Sequence, residues 1–152
     1  MKFSLGTKSK IKTKKTILFV CVQNAGRSQM AEGFFRKYAP EGFEPVRAGT
    51  KPTSQINPLA IQVMNEIGID ISKQKSKYIP EDMIRNSERI INMGCMEKNF
   101  CPTLLIPKVI DWGIEDPKDK SIEKVREIRD EIERRIRELA ADVSIAEKDN
   151  NR

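Results

Sequence analysis

Histidine is absent from this chain of 152 residues. Its absence excludes the Cys–His pair, the Ser–His–Asp triad, the His-Glu-x-x-His zinc proteases and the zinc fingers built from two cysteines and two histidines. A nucleophile in this protein must therefore be activated by positive charge, by a helix N-terminus or by backbone dipoles, because no imidazole can accept its proton.

Long apolar runs and cysteines are also scarce. No stretch approaches the length of a membrane span, and the N-terminus lacks the apolar core of a signal peptide. Three cysteines without histidine would need a carboxylate to complete a zinc site, so we predict no metal site. The hydrophobic content of 38% and the charged content of 33% are typical of a soluble globular protein. We therefore predict a cytoplasmic protein with no membrane partner.

Acidic residues are missing from the first 15 positions. The six lysines there account for the whole net charge of +6, since the other 22 basic residues balance the 22 acidic ones. A basic segment without hydrophobic periodicity is typical of a flexible, solubilising extension. We predict such a leader over residues 1–15 and no specific nucleic-acid partner. The lysines of the leader are Lys2, Lys8, Lys10, Lys12, Lys14 and Lys15.

Strand and helix patterns alternate along the rest of the chain. Short apolar runs predict strands over 16–20, 44–48, 88–93 and 108–112, and apolar residues at helical spacing predict helices over 28–38, 57–68, 80–86 and 121–143. Strands separated by helices form a parallel sheet covered on both faces. We predict a three-layer α/β/α sandwich with a central four-stranded parallel sheet, one catalytic domain over 16–143 and a frayed tail over 144–152.

The stretch from Cys21 to Ser28 has the spacing of an oxyanion-binding loop. A strand precedes it and a helix follows it, so its backbone N–H groups converge at a helix N-terminus, where tetrahedral anions bind. Arg27 would clamp two oxygens of the anion, and the positive field would favour a Cys21 thiolate that Ser28 stabilises by a hydrogen bond. A structural cysteine at a strand end is the alternative, which the small residues Ala25 and Gly26 disfavour. The predicted oxyanion-binding residues are Val22, Gln23, Asn24, Ala25, Gly26 and Arg27.

Further candidates follow the last two predicted strands. Asp116 precedes Pro117 in a loop, where a carboxyl group can protonate a leaving oxygen; an ordinary turn is the alternative. Cys95 and Cys101 are separated by five residues. Disulfide scaffolding is disfavoured in a reducing compartment, so a transient thiol–disulfide pair is more consistent with these two cysteines.

These motifs resemble those of the thioredoxin-coupled arsenate reductases, which share the fold of the low-molecular-weight protein tyrosine phosphatases. The resemblance rests on residues 21–34, 48–50, 95, 101–102 and 112–117. Gln29 stands where the phosphatase branch usually has proline, and this favours the reductase branch. The resemblance implies the low-molecular-weight phosphatase fold and an enzyme that reduces arsenate.

A relay of three thiols is the mechanism that the resemblance implies. Cys21 attacks arsenate, and Asp116 protonates the departing hydroxyl group. Cys95 then attacks Cys21 and arsenite leaves, after which Cys101 attacks Cys95 to form a disulfide that thioredoxin or a similar dithiol protein reduces. Phosphate and sulfate are expected to compete with arsenate, and we expect a monomer without a cofactor. The predicted catalytic residues are Cys21, Arg27, Ser28, Cys95, Cys101 and Asp116.

The chain departs from those family members that bind a potassium ion near the loop. Asn24 and Glu32 match two of the ligand positions, but the other positions carry Arg47, Lys75 and Lys77. A guanidinium or ammonium group can take the electrostatic place of the cation. We therefore predict no potassium requirement.

Two other functions use the same residues. A phosphatase would hydrolyse phosphate monoesters through a Cys21 phosphoryl intermediate, but it would have no need of Cys95 and Cys101. Such phosphatases also typically carry tyrosines after the Asp-Pro pair, where this chain has Lys118, Asp119 and Lys120. A non-enzymatic redox or oxyanion sensor is the third function, and the complete catalytic set argues against it.

Overall fold

Four strands and four helices make up the part of the chain that the computed structural model describes, which comprises residues 14–21, 26–49, 55–74, 81–94 and 109–150. The side chains of residues 48, 49 and 81 are not described. In chain order the elements are β1 (Lys15–Cys21), α1 (Arg27–Tyr38), β2 (Phe43–Gly49), α2 (Pro58–Asn65), α3 (Glu81–Asn86), β3 (Arg89–Asn92), β4 (Val109–Asp111) and α4 (Ile122–Asn150).

The strands form one parallel sheet in the order β2-β1-β3-β4. Val20 of β1 is in register with Asn92 of β3, and Asn92 is in register with Asp111 of β4. The carboxyl ends of these three strands therefore meet at one edge of the sheet, where active sites of parallel α/β folds lie. This edge carries Cys21, the segment that leads to Cys95, and the loop that leads to Asp116.

Each face of the sheet packs against helices. Ile17 and Phe19 of β1 belong to the larger hydrophobic cluster, which includes buried side chains of α1, α2 and α4. Leu18 and Val20 point to the other face, into a smaller cluster that includes Ile84 of α3. These four consecutive residues are all fully buried and alternate between the two clusters, which is the signature of a strand covered on both sides. The predicted three-layer α/β/α sandwich with a four-stranded parallel sheet is confirmed.

Local sequence signals explain the start and end of α2. The side chain of Asn57 accepts a hydrogen bond of 2.9 Å from the backbone N–H of Leu59, and Pro58 occupies the first helical position. Gly68 follows with a φ of +81°, a conformation that glycine adopts without strain. The helix ends at Asn65, three residues before the predicted end, and the residues from there to Gly68 form a turn.

Helix α4 is longer than the helix predicted over 121–143. Its buried stripe runs from Val125 to Val143, and the helix continues to Asn150. Good helix formers such as Ala146 and a 2.7 Å ion pair between Lys15 and Glu147 support the added turns. Although α4 is 29 residues long, no helix in the described part of the chain has the length and apolar character to cross a membrane.

Candidate active site

Cys21 lies at the last position of β1 and is buried, with 2% of its surface exposed. Its Sγ atom is 3.1 Å from Oγ of Ser28, which lies in the first turn of α1, and the two atoms share a hydrogen bond. A hydroxyl group at this distance donates to a thiolate and stabilises its charge. The pairing of Cys21 and Ser28 expected from the sequence is therefore present.

Gly26 joins the loop to helix α1. It occupies the N-cap position, and its carbonyl accepts the first helical hydrogen bond from the N–H of Met30 at 3.0 Å. A glycine at the N-cap brings no side chain to the first-turn N–H groups, which suits the binding of an anion at this end of the helix. A Cβ atom on Gly26 would also lie only 2.9 Å from Cγ of Pro117. The absent side chain thus lets the Asp116–Pro117 loop approach the oxyanion loop.

The guanidinium group of Arg27 is held by backbone carbonyl groups. Only 6% of the residue is exposed, and Nη1 donates hydrogen bonds to the carbonyl oxygen of Ile114 at 2.8 Å and of Met93 at 3.5 Å. These contacts tie the start of α1 to the segments after β3 and β4. Because carbonyl groups orient a guanidinium without neutralising it, the charge of Arg27 remains available to an anion.

Asp116 lies beside Arg27 at the surface. Its Oδ2 atom is 3.7 Å from Nη2 of Arg27, and its Oδ1 atom accepts a 3.0 Å hydrogen bond from the N–H of Lys118. Its side chain is about half exposed. The predicted role of Asp116 as general acid requires a carboxyl group beside the guanidinium of Arg27, and the structure has one there; the role itself stays a prediction.

Ion pairs fasten the loop of Asp116 to helix α4. Glu115 lies 3.3 Å from Nζ of Lys124 and 3.7 Å from Nζ of Lys120. The hydrogen bond to Glu115 raises the pKa of Lys124, so this ammonium group keeps its charge throughout the neutral range. The acid-bearing loop is therefore anchored on one side by Lys124 and on the other by Arg27.

A cleft of about 410 Å³ opens in front of Arg27 and Asp116. The part of its wall that the structure describes is polar and aliphatic and contains no aromatic side chain. This agrees with the absence of tyrosine after the Asp-Pro pair. The residues lining the cleft are Gly26, Arg27, Gln55, Ile56, Asn57, Pro58, Leu59, Asp116, Pro117, Lys118, Asp119 and Lys120.

Part of the predicted site lies outside the described residues. This applies to Val22, Gln23, Asn24 and Ala25 of the loop, and to both Cys95 and Cys101. Their predicted roles stay predictions. The chain that leads to Cys95 is nevertheless located, because the N–H of Met93 donates a 2.7 Å hydrogen bond to the carbonyl of Val20. Strand β3 thus ends at the edge of the sheet at which Cys21 lies.

Glu32 and Arg47 form a buried ion pair beneath the start of α1. Glu32 is fully buried, and one of its carboxylate oxygens lies 3.1 Å from Nη1 of Arg47, which is 12% exposed. Arg47 also donates from Nε to the side-chain oxygen of Gln29 at 3.4 Å. A guanidinium group therefore occupies the position next to Glu32 that a bound cation would need. Asn24, Lys75 and Lys77 lie outside the described residues, so the absence of a potassium requirement stays a prediction.

Two features of the site were not predicted from the sequence. One is the contact between Arg27 and the carbonyl of Ile114, and the other is the approach of Arg27 to the backbone of Gly94. The only sequence signal for the second is a glycine between a strand and a cysteine, which by itself also fits a simple turn.

Comparison with known proteins agrees with this geometry. Residues 16–150 match the low molecular weight phosphotyrosine protein phosphatase family. An arsenate reductase of Staphylococcus aureus is 40% identical over 121 residues, which cover 78% of this chain and 91% of that protein.

Solved structures of a reductase and of a phosphatase have the same fold as this chain. The thioredoxin-dependent arsenate reductase of Corynebacterium glutamicum superimposes with a TM-score of 0.74 at 35% identity, covering 94% of this chain and 68% of that one. The YwlE arginine phosphatase of Geobacillus stearothermophilus superimposes with a TM-score of 0.79 at 27% identity, covering 89% of this chain and 96% of that one. The chain belongs to the low molecular weight phosphotyrosine protein phosphatase family and, within it, to the thioredoxin-coupled arsenate reductases.

Proposed function

We propose that this chain reduces arsenate to arsenite through three thiols that act in turn. The observation that carries the proposal is the contact of a buried cysteine, Cys21, with the Ser28 hydroxyl group, beside the carbonyl-bound guanidinium of Arg27. A thiolate next to an anion clamp attacks a tetrahedral oxyanion. Arsenate reductases at 40% identity make arsenate the anion of choice.

In the first step the Cys21 thiolate attacks arsenic. A bond forms between sulfur and arsenic, and one arsenate hydroxyl group takes a proton from Asp116 and leaves as water, which breaks its bond to arsenic. Arg27 and the N–H groups at the start of α1 stabilise the charge on the remaining oxygens. Ser28 holds the thiolate before attack by the 3.1 Å contact to Cys21.

In the second step the Cys95 thiolate attacks the sulfur of Cys21. A Cys21–Cys95 disulfide forms, the sulfur–arsenic bond breaks, and its electron pair stays on arsenic, which leaves as arsenite. The Cys101 thiolate then attacks Cys95, so that Cys21 is released as a thiolate and a Cys95–Cys101 disulfide remains. Two electrons from thioredoxin or a similar dithiol protein reduce that disulfide.

The proposal also implies the compartment in which the enzyme works and the cofactors that it needs. Three thiols that must be reduced before each cycle require a reducing compartment, so we assign the protein to the cytoplasm. We assign it no cofactor and no metal, because Arg47 supplies the positive charge next to Glu32. Replacing sodium by potassium in the assay buffer should leave turnover unchanged, and a large rise in activity would contradict this assignment.

A weak phosphatase activity should accompany the reductase activity. Phosphate and arsenate have the same tetrahedral shape, and Cys21, Arg27 and Asp116 are also the residues that phosphoryl transfer through cysteine needs. The described cleft wall offers no aromatic side chain to hold a tyrosyl ring. Hydrolysis of aryl phosphates should therefore be slow compared with arsenate reduction.

Thioredoxin-dependent formation of arsenite by cysteine variants tests the proposal. The wild type should turn over repeatedly, whereas Cys21→Ser, Cys95→Ser and Cys101→Ser should each lose turnover. Cys95→Ser and Cys101→Ser should keep the aryl phosphatase activity, because hydrolysis uses only Cys21. If both variants reduced arsenate as fast as the wild type, the three-thiol relay would be wrong.

A further inference from the structure

The guanidinium of Arg27 lies against the backbone of Gly94. It occupies the space that any side chain at position 94 would fill. A Cβ atom built on Gly94 would lie 2.0 Å from Nη1 of Arg27 and 3.0 Å from its Cζ atom. Real Cβ atoms do not approach other heavy atoms so closely. The space that the missing side chain leaves is therefore the space that the Arg27 guanidinium occupies.

The local backbone holds Gly94 in this position. Its φ of +155° is a conformation that glycine adopts more readily than other residues, and its N–H donates a 3.2 Å hydrogen bond to the side-chain oxygen of Asn92. Asn92 is itself fully buried at the end of β3. The backbone facing Arg27 is thus fixed by the sheet.

We propose that Gly94 is a positioning residue for the oxyanion site, acting through Arg27. With no side chain at position 94, Nη1 of Arg27 reaches the carbonyl oxygen of Ile114 at 2.8 Å. That bond orients the guanidinium group, and Nη2 then lies on the side of Asp116. The proposal rests on the function proposed above, since it assigns Gly94 to the binding of the same anion.

A side chain at position 94 should weaken anion binding. Its closest neighbour would be the far end of the flexible Arg27 side chain, which can move away, and the carbonyl oxygen of Ile114 would lie 3.1 Å from its Cβ. Moving away breaks the bond to Ile114 and turns the clamp from the anion. Because Cys95 is the next residue, the same contact links the anion clamp to the segment that carries the second cysteine.

The variant Gly94→Ala tests this, with Gly113→Ala as its matched control. Gly113 also has a positive φ, of +59°, and its N–H also donates to the side chain two residues earlier, that of Asp111, at 2.9 Å. A Cβ atom on Gly113, however, would meet nothing within 4 Å. Both substitutions place a methyl group on a backbone of positive φ, and only Gly94→Ala brings it against Arg27. The φ of +155° is less accessible to alanine than the φ of +59°, so Gly94→Ala also carries the larger backbone strain.

Inorganic phosphate is the probe, and its dissociation constant is measured from the rise in melting temperature with phosphate concentration. Gly94→Ala should bind phosphate at least about tenfold more weakly than the wild type, whereas Gly113→Ala should stay within about twofold. Without phosphate, Gly94→Ala should melt below Gly113→Ala, because its Cβ is the more crowded and its φ the more strained. The phosphate dissociation constants therefore carry the comparison. Wild-type phosphate binding by Gly94→Ala, or an equal loss in Gly113→Ala, would overturn the proposal.

A second pair of variants covers the case in which Gly94→Ala does not fold. Arg27→Ala removes the two closest atoms that the new Cβ would meet and leaves the carbonyl oxygen of Ile114 at 3.1 Å. Gly94→Ala should therefore lower the melting temperature less in the Arg27→Ala background than in the wild-type background. If Gly94→Ala lowered the melting temperature, or prevented folding, as much in the Arg27→Ala background as in the wild type, the proposal would be overturned.

These measurements also separate this inference from the proposed function. If Arg27→Ala bound phosphate as well as the wild type, the oxyanion site itself would be wrong. In that case the melting temperatures of the single and double variants would still show whether Gly94 and Arg27 interact.

Discussion

Arg27 and Arg134, an exposed arginine of helix α4, meet their surroundings in different ways. On α4, Arg134 is exposed and pairs with Glu131 at 2.6 Å and with Glu138 at 2.9 Å. Arg27 is buried, its close partners are carbonyl oxygens, and the carboxylate of Asp116 lies 3.7 Å away. The buried guanidinium at the proposed catalytic site thus has carbonyl oxygens as its closest partners, with the Asp116 carboxylate further away.

The difference separates stabilising charges from functional ones. An exposed ion pair such as Arg134 and Glu131 gains little free energy, because water screens both charges and both side chains lose rotational freedom. A buried guanidinium held by carbonyl dipoles keeps its charge and its orientation before any ligand arrives. That preorganisation is what electrostatic stabilisation of an anionic transition state requires.

The largest effect is expected for Arg27→Lys. An ammonium group keeps the charge but loses the planar, bidentate geometry, so kcat/KM for arsenate should fall by about 10³-fold. The assay is thioredoxin-dependent formation of arsenite. The control Arg134→Lys changes an exposed ion pair and should keep wild-type activity. A similar loss of activity in both variants would show that the buried Arg27 and the exposed Arg134 do not differ in function.

A large loss of stability is expected for Arg47→Ala. It leaves the buried carboxylate of Glu32 without its closest guanidinium, which should lower the free energy of unfolding by about 3 kcal/mol. Arg36 lies 3.4 Å from the same carboxylate oxygen, but its side chain is 60% exposed. Arg36→Ala should therefore cost less than about 1 kcal/mol. Urea denaturation measures both values, and equal costs would show that burial of the pair is unimportant.

A smaller effect on turnover is expected for Asp116→Asn. The amide cannot protonate the departing oxygen, so kcat should fall by about 10²-fold while the dissociation constant of phosphate changes little. Asp119→Asn is the control, because it makes the same chemical change in the next turn and asparagine tolerates the φ of +59° found there. Unchanged kcat in Asp116→Asn would rule out this residue as the general acid.

The smallest effect is expected at the surface pair of Glu66 with Arg126. The hydrogen bond from Arg126 lowers the pKa of Glu66 below its ordinary value of 4.5. A carboxyl group with a lowered pKa in the folded state stabilises the fold above its ordinary pKa, and this contribution disappears as the pH falls through the lowered value. Glu66→Gln should therefore melt slightly below the wild type at pH 7, and this difference should vanish in strong acid. A difference that did not depend on pH would mean that charge is not its source.

The elements of the site were predictable where local signals specify them. Apolar residues before Cys21 and a helical pattern after Ser28 place the strand, the loop and the helix in order, and Asn57 with Pro58 marks the start of α2. These signals depend on residues close together in the chain. The parallel order of strands and helices then brings Cys21 and Asp116 to one edge of the sheet.

The contacts that orient the site were not predictable in the same way. Arg27 reaches the carbonyl of Ile114, 87 residues further along the chain, and any residue could have supplied that carbonyl group. The approach of Gly94 to Arg27 also depends on the register of β3 beside β1. The end of α4 was misplaced because Lys15, which pairs with Glu147, is distant in sequence. Such contacts appear only when the tertiary structure is known.

A single-turnover experiment tests the three-thiol account most directly. Fully reduced protein is mixed with excess arsenate in the absence of any reductant, arsenite is counted, and the disulfide is mapped by peptide mass spectrometry. The account predicts about one arsenite per chain and a disulfide between Cys95 and Cys101, with Cys21 returned to the thiol. Arsenite in excess of one per chain, or reduction that leaves Cys95 and Cys101 as thiols, would contradict it.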